Sequence, residues 1–336
     1  METILTRRTA LCLLLAMASA GALHSAGAQT PPAEAAPLPV VVVNPEDLLD
    51  SGKTLVVPAV YLRLLTDGRV SAVKQSGLFS GGNNTARASA SYQVDGLDKT
   101  FVQQLAQAAY DDAVARLRGA GYTVLTYADV KDRDFVKAAR RETEAGPLGL
   151  PVFSELGNNY VVATPSDEQH FRSALGGGVF AEFQSGGKNL FTDATLIIPV
   201  YTFQAPQAWT DTGAGYKRIS AEANVAEGMN LGQASAHWMG QPRSRMMRGI
   251  PGVATRQPLI NTTEKAGSVS KLADTTPQAA NLVSGLLGAL TGTGSISASS
   301  GKYALAVDRA AYTEGVLNGV RAFNSELAKA AAAAKP

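Results

Sequence analysis

The chain has little of several things. Among 336 residues there is one cysteine, there are three histidines and two tryptophans, and only 17% of residues are charged. Average usage is about 25% charged. A lone cysteine excludes a disulfide framework, a cysteine-based zinc site and an iron–sulfur cluster. Lys plus Arg is 30 against 28 for Asp plus Glu, a net charge of +2. That balance gives neither the basic surface of a nucleic-acid binder nor an acidic disordered chain, so nucleic acid is not an expected partner. Aromatics are 7%, so a core is expected to lean on Ala, Val and Leu, while the 33 glycines and long Ala, Ser and Thr stretches are what is plentiful.

The first 28 residues have a recognisable order. Arg7 and Arg8 come first, then an apolar run from Thr9 to Leu23, then Ala26-Gly27-Ala28. Charge, apolar stretch and small residues in that sequence are the layout of a secretory leader, cut here after Ala28. The run falls short of the ~20 residues of a membrane-spanning helix. The arginine pair also matches a twin-arginine leader. Cys12 lies inside the run and leaves with it; it comes too early to accept a lipid at the cleavage point. The expectation is a thiol-free protein, periplasmic or secreted, or associated with the outer membrane. Loss of Glu2, Arg7 and Arg8 with the leader leaves it a charge of +1.

Residues 29–39, with Pro31, Pro32, Pro37 and Pro39, read as an extended linker. One domain is expected over 40–335, with Gly/Ser-rich insertions near 71–96 and 275–301. Val40–Val43 is β-rich. Thr54–Leu65 is dense in Val and Leu, as in a strand buried on both faces, and Thr66-Asp67-Gly68 is a turn signal. Ser71–Gly96, centred on Gly81-Gly82-Asn83-Asn84, reads as a long loop or a weak hairpin. Asp98–Arg118 is the clearest helix. Phe101, Leu105, Ala109, Ala113 and Leu117 recur at helical spacing, Asp98 suits the amino end, and Gly119 and Gly121 follow as stop signals. Tyr122–Tyr127 is a strand, and Asp129–Thr143 a second helix. This order predicts parallel pairing of the strands at 54–65 and 122–127 through a right-handed crossover.

Further on, Tyr160–Ala163 is a short apolar run. Thr192–Phe203 is a strong strand whose Pro199 points to an edge or a bulge. Tyr216–Val225 and Met229–Met239 read as strands joined at Glu227-Gly228, and Gln241–Lys271 as irregular. The uncharged segment 275–301 reads as a short helix packed on the body, followed by a loop. A long helix from Lys302 to about Lys335 closes the chain, its stripe carrying Leu305, Tyr312, Val316, Val320, Phe323 and Leu327. The fold class expected is α+β, or a three-layer α/β arrangement, with a mixed sheet flanked by helices.

Chemistry is sparse. Once the leader is gone the histidines are His170 and His237, neither with a second ligand at metal spacing, so no metal site is expected. No Gly-x-Ser-x-Gly elbow surrounds any serine. The glycine clusters at 176–178 and 292–294 lack the Lys-Ser/Thr of a phosphate loop. No catalytic residue and no cofactor can be assigned. The one suggestive composition is Trp238, Arg243, Arg245 and Arg248, with Met246 and Met247: arginine, methionine and tryptophan are enriched at interfaces. An anionic surface, either a lipid headgroup or a glycan, or an envelope protein would suit these residues. The loops at 79–90 and 282–290 are further candidate surfaces.

The buried strand Leu55-Val-Val-Pro-Ala-Val-Tyr, the Leu117, Gly121, Tyr122 and Val124 pattern at the helix end, and the Asp-led segment after it resemble the CsgG-type domain of envelope secretion and assembly proteins. The later strands and the closing helix fit the same order. The resemblance implies a bacterial envelope protein with a non-enzymatic binding or assembly role and a homo-oligomer, and it brings no catalytic residues. The curli secretion channel of that family is a lipoprotein, and no lipid-accepting cysteine is present here. Two other readings stay open: an exported hydrolase using His170 or His237, and an oligomeric outer-membrane channel with strands from 71–96 and 216–239. Mass spectrometry of the exported protein should find an amino terminus at Gln29; a retained Met1 in the envelope fraction would refute cleavage.

Overall fold

The computed structural model describes residues 38–49, 52–75, 85–143, 145–172, 180–185, 188–215, 218–240, 251–256, 260–272 and 296–334. It begins with β1 (Val40–Val43), β2 (Thr54–Val57), β3 (Tyr61–Gln75) and β4 (Thr85–Asp95). Helix α1 (Lys99–Gly119) leads to β5 (Thr123–Thr126) and two short helices, α2 (Tyr127–Val130) and α3 (Asp134–Ala138). Next come β6 (Val152–Glu155), β7 (Asn158–Ala163), β8 (Gln184–Ser185), β9 (Lys188–Asn189) and β10 (Thr195–Gln204). The hairpin β11 (Gln207–Gly215) and β12 (Arg218–Ala226) precedes β13 (Met229–Met239), β14 (Gly252–Thr255), β15 (Ile260–Thr263), β16 (Gly267–Leu272) and β17 (Ile296–Val307). Helix α4 (Arg309–Ala333) closes the fold.

Thirteen of these strands join in one mixed sheet, whose main path is β1-β14-β13-β10-β3-β4-β17-β16. With its helices and the long carboxy-terminal α4, the protein is of the α+β class. Strand β10 has side chains buried on both faces. Ile197, Tyr201 and Phe203 enter a core with Phe101, Leu105, Val316, Val320 and Phe323 of α1 and α4. Leu196, Ile198 and Val200 enter a second core with Val130, Val136, Phe171, Phe183 and Phe191. The period-two alternation of a strand divides its residues between the two. β2 pairs with β5 in parallel, Leu55 opposite Val124, as the strand order at 54–65 and 122–127 predicts.

The clear sequence signals hold where they are local. Asp98 caps α1, its carboxylate accepting from the Phe101 amide at 2.8 Å, and Gly121 takes φ +91° just past the helix. Where tertiary contacts intervene, the expectations need correcting. The expected strand 54–65 is two strands, β2 and β3, separated by Pro58–Val60. Thr66-Asp67-Gly68 is no turn: β3 runs through it to Gln75 and pairs antiparallel with β4, Asp67 opposite Gln93, so of the two readings of 71–96 the described strands are those of a hairpin. Gly68 is required by close approach; a Cβ there would lie 2.1 Å from Asn158 Oδ1 and 2.7 Å from Tyr92 Cε2. Pro199 sits inside the sheet, opposite Ala236, but on the other flank it falls between the stretches paired with β2 and with β3.

The expected helix 129–143 is broken into α2 and α3. The Asp129 carboxylate accepts from the Thr126 amide and hydroxyl, both at 2.7 Å, so the first helix starts at Tyr127. Arg133 is held by Asp193 through two bonds of 2.6 and 2.8 Å, and the Arg141 guanidinium takes the carbonyls of Val136 and Ala139 that a longer helix would use. The segment 241–271 contains β14, β15 and β16 within its described residues. The strand expected at 216–225 is β12, whose partner β11 had no clear sequence signal. The carboxy-terminal helix starts later than expected: Asp308 caps it, accepting from Ala310 and Ala311, and Leu305 belongs to β17, opposite Val269. Residues 296–301 are strand; the short helix and loop expected over 275–295 lie outside the described residues.

Helix α4 approaches the sheet closely at two glycines. A Cβ on Gly319 would lie 2.6 Å from the buried ring of Phe203. In an open helix Gly→Ala stabilises by roughly 1 kcal/mol. Here the overpacking should reverse the sign, with Gly319→Ala losing about 1–3 kcal/mol in urea unfolding.

Candidate functional site

The second core is covered by α2, α3 and an aromatic layer. Phe171 and Phe183 rings meet at 4.6 Å, and Phe135 and Phe191 at 4.8 Å. Arg141 lies over the Phe171 ring at 4.3 Å while its Nε donates to the Glu168 carbonyl at 2.5 Å. Where this layer meets the start of α1, a cleft of about 450 Å³ opens. Lys99, Arg141, Glu142, Asp167, Glu168 and His170 line it, with Leu150 and Pro151 as its apolar side. A second hollow of about 460 Å³ shares Arg141 and Glu168 and adds Tyr127, Lys131 and Lys137. Both volumes fall in the range of about 300–1,000 Å³ usual for small-molecule sites.

The turn Asp167–Gln169 presents these groups. Gln169 is buried and its side chain donates to the Pro58 carbonyl at 3.0 Å, tying the turn to the gap between β2 and β3. Tyr61 of β3 clasps Phe171, two residues on: its hydroxyl donates to the Phe171 carbonyl at 3.3 Å and accepts from the Phe171 amide at 3.2 Å. Lys99 Nζ lies 2.6 Å from Asp167 Oδ2, and Gln103 donates to Oδ1 at 2.9 Å. The lysine hydrogen bond holds Asp167 below the usual carboxylate range.

His170 is 2% exposed, edge-on to Tyr61 with ring centroids 5.7 Å apart. Its Nε2 is shut off from solvent without a hydrogen-bond partner. Burial pushes its pKa down to about 4, against the opposing pull of Glu142 and Asp167. The imidazole is therefore neutral at pH 7, far from the poise of a general base. The one hydroxyl side chain lining the cleft, Thr143, makes no hydrogen bond to it among the described residues. No group of three His, Cys, Asp or Glu gathers as a metal site among the described residues.

The residues singled out in the sequence lie elsewhere. Trp238 is fully buried on β13, its indole N–H donating to the Asn44 carbonyl at 3.1 Å. Expected as part of an interaction surface, it is a core residue, because β13 lies between β10 and β14 and turns Ala234, Ala236 and Trp238 into the first core. Arg243, Arg245 and Arg248 lie outside the described residues, as do 79–84 and 282–290; 85–90 is part of β4. His237 is half-buried on β13, opposite Ile198 and Gly252, with its pKa lowered by burial. Of the two histidines, His170 lines the cleft described above and His237 does not. Lys99, Arg141 and Glu168 have no local signal, since they converge from separate segments.

No family model, no curated protein and no solved structure matches the chain. No helix among the described residues is long and apolar enough to cross a membrane, which says nothing of membrane strands.

The His170 pKa makes stability depend on pH. The unfolded chain takes up this proton near pH 6.5, the folded chain only near pH 4. The unfolded state therefore binds more protons in between, and stability falls as pH drops from 6.5 to 4. The loss should be about 3 kcal/mol, read as the pH dependence of urea unfolding. His170→Gln should flatten that slope; an unchanged slope would place its cause elsewhere.

Proposed function

We propose that this chain is an exported bacterial envelope protein with a non-enzymatic binding and assembly role, in keeping with its resemblance to CsgG-type domains. The observation that carries this reading is the sheet edge at β1. Edge strands of monomeric proteins are blunted by charge, by proline or by a covering element. β1 is Val40-Val-Val-Val43, without charge, and Val42 is 40% exposed. Among the described residues β1 pairs only with β14. An extended segment of a partner adds to such an edge through main-chain hydrogen bonds, with alternate side chains giving selectivity. The partner is a second copy or another envelope protein. The neutral His170, with no nucleophile hydrogen-bonded to it among the described residues, speaks for binding over hydrolysis.

The absence of cysteine after leader removal makes the test clean. Val42→Cys, labelled with a photo-crosslinker in the exported full-length protein, should give covalent adducts of defined mass. The same probe at exposed Gln104→Cys on α1 should give none. Monomer alone at Val42 would sink the reading.

A further inference from the structure

We propose that copies of this chain stack on one another through two faces of opposite charge. The basic outer face of β3, β4 and β17 in one copy meets the acidic, tryptophan-bearing face of the β11–β12 hairpin in the next. This goes beyond the assembly reading, which rests on the uncharged edge at β1.

The two faces lie on opposite sides of one two-layer unit. β3, β4 and β17 are neighbours in the main sheet, and the hairpin is a sheet of its own. Between the layers, Val70 and Tyr92 of the first meet Ala208 and Val225 of the second. Side chains alternate across a strand, so the residues between these share the outer face of the first layer. One row there is Arg69, Ser91, Lys302 and Leu272; the next is Ser71, Ser89 and Ser300; the third sets Val73 beside Arg87. Arg69, Arg87 and Lys302 are exposed, and none forms an ion pair among the described residues. Further along, the carboxylates are already engaged: Asp67 accepts from Asn159 at 2.7 Å and Asp95 from Gln93 at 3.3 Å.

The outer face of the hairpin has the opposite sign. It carries Trp209 opposite Asn224 and Asp211 opposite Glu222. Like charges directly opposite on a strand pair, with Cβ atoms about 4.5–5.5 Å apart, are destabilising. No described side chain on this face supplies a cation to relieve them; Arg218, at the hairpin tip, is four positions from Glu222, roughly 13 Å along the strand. The Trp209 indole donates to Asp211 at 3.1 Å, which fixes its half-exposed ring. A guanidinium laid on this face meets two carboxylates and an immobilised indole. Exposed apolar side chains also match across the contact, Val73 and Leu272 on the basic face and Trp209 on the acidic one. A second copy is therefore an occupant that supplies each face with what it lacks. Because the faces are on opposite sides, the contact is head-to-tail, and every added copy leaves one face of each sign free.

Sedimentation velocity of the exported protein should show oligomers beyond the dimer at about 20 mM salt. They should dissociate at about 500 mM, where screening shortens from roughly 20 Å to roughly 4 Å. Arg69→Glu, Arg87→Glu and Lys302→Glu together turn the basic face acidic; Asp211→Lys with Glu222→Lys turns the acidic face basic. Each variant alone should need at least about a tenfold higher concentration to associate. Mixed, the two should associate again, since each then offers the other an opposite face; unfolding curves confirm that both are folded. Wild-type monomer at low salt, association indifferent to salt or to the reversals, or folded variants that stay apart when mixed would each overturn the proposal. None of these substitutions touches β1, so the crosslinking at Val42 is decided separately.

Discussion

From Thr195 to Phe203, β10 has no solvent-facing residue, and most of the architecture answers that constraint. A strand apolar on both faces must be covered on both. On one face α1 and α4 supply Phe101, Leu105, Val316, Val320 and Phe323. The same face takes in a polar chain: Tyr201 donates to Asn324 at 2.6 Å, Asn324 donates to Asp112 at 2.9 Å, and Asp112 pairs with Arg116 at 3.0 Å. Each member is satisfied by the next, and the chain ends on a half-exposed arginine. This ties the central strand to both long helices in one register, since a slip would strand a buried hydroxyl or amide without a partner.

The other face is covered differently, and that difference makes the cleft. Among the described residues no long helix lies there. Two short helices and an aromatic layer do the covering, pinned by Arg133 on Asp193 and by Arg140 on Glu182. Four phenylalanines, Phe171, Phe180, Phe183 and Phe191, share this core. A cover built of turns leaves hollows, and the two beside the Asp167–Gln169 turn are both lined by ionisable groups.

Legibility in the sequence follows locality. Helix α1 could be read because its stripe, its capping aspartate and its stop signals are all internal to one segment. The parallel β2–β5 pairing followed from the strand–helix–strand order. Gly68 misled because glycine beside aspartate also marks a turn, and its real cause, the ring of Tyr92, lies in another strand. The 129–143 segment misled because its charges do tertiary tasks: Asp129 starts a helix early, and Arg141 occupies the carbonyls that would prolong the second one. Trp238 beside arginines read as surface composition, whereas the small–small–large alternation of Ala234, Ala236 and Trp238 was the signal for a core strand. The cleft had no linear signature because Lys99, Arg141 and Glu168 come from three segments.

The shortage of charge has a structural counterpart. β4 alternates buried Ala86, Ala88 and Ala90 with Arg87 and Ser89, and the β11–β12 hairpin packs over β3 and β4, with Ala208 and Val225 against Tyr92. Alanine on the inner face lets two strand layers approach closely, and short polar residues on the outer face leave the strands thin. Such layers need neither the long charged side chains of an amphipathic helix nor many aromatics. The charges that remain are therefore free to collect where they have partners, along α1 and around the His170 cleft, while the valine edge at β1 carries none. An edge without charge and a cleft rich in it are two consequences of the same composition.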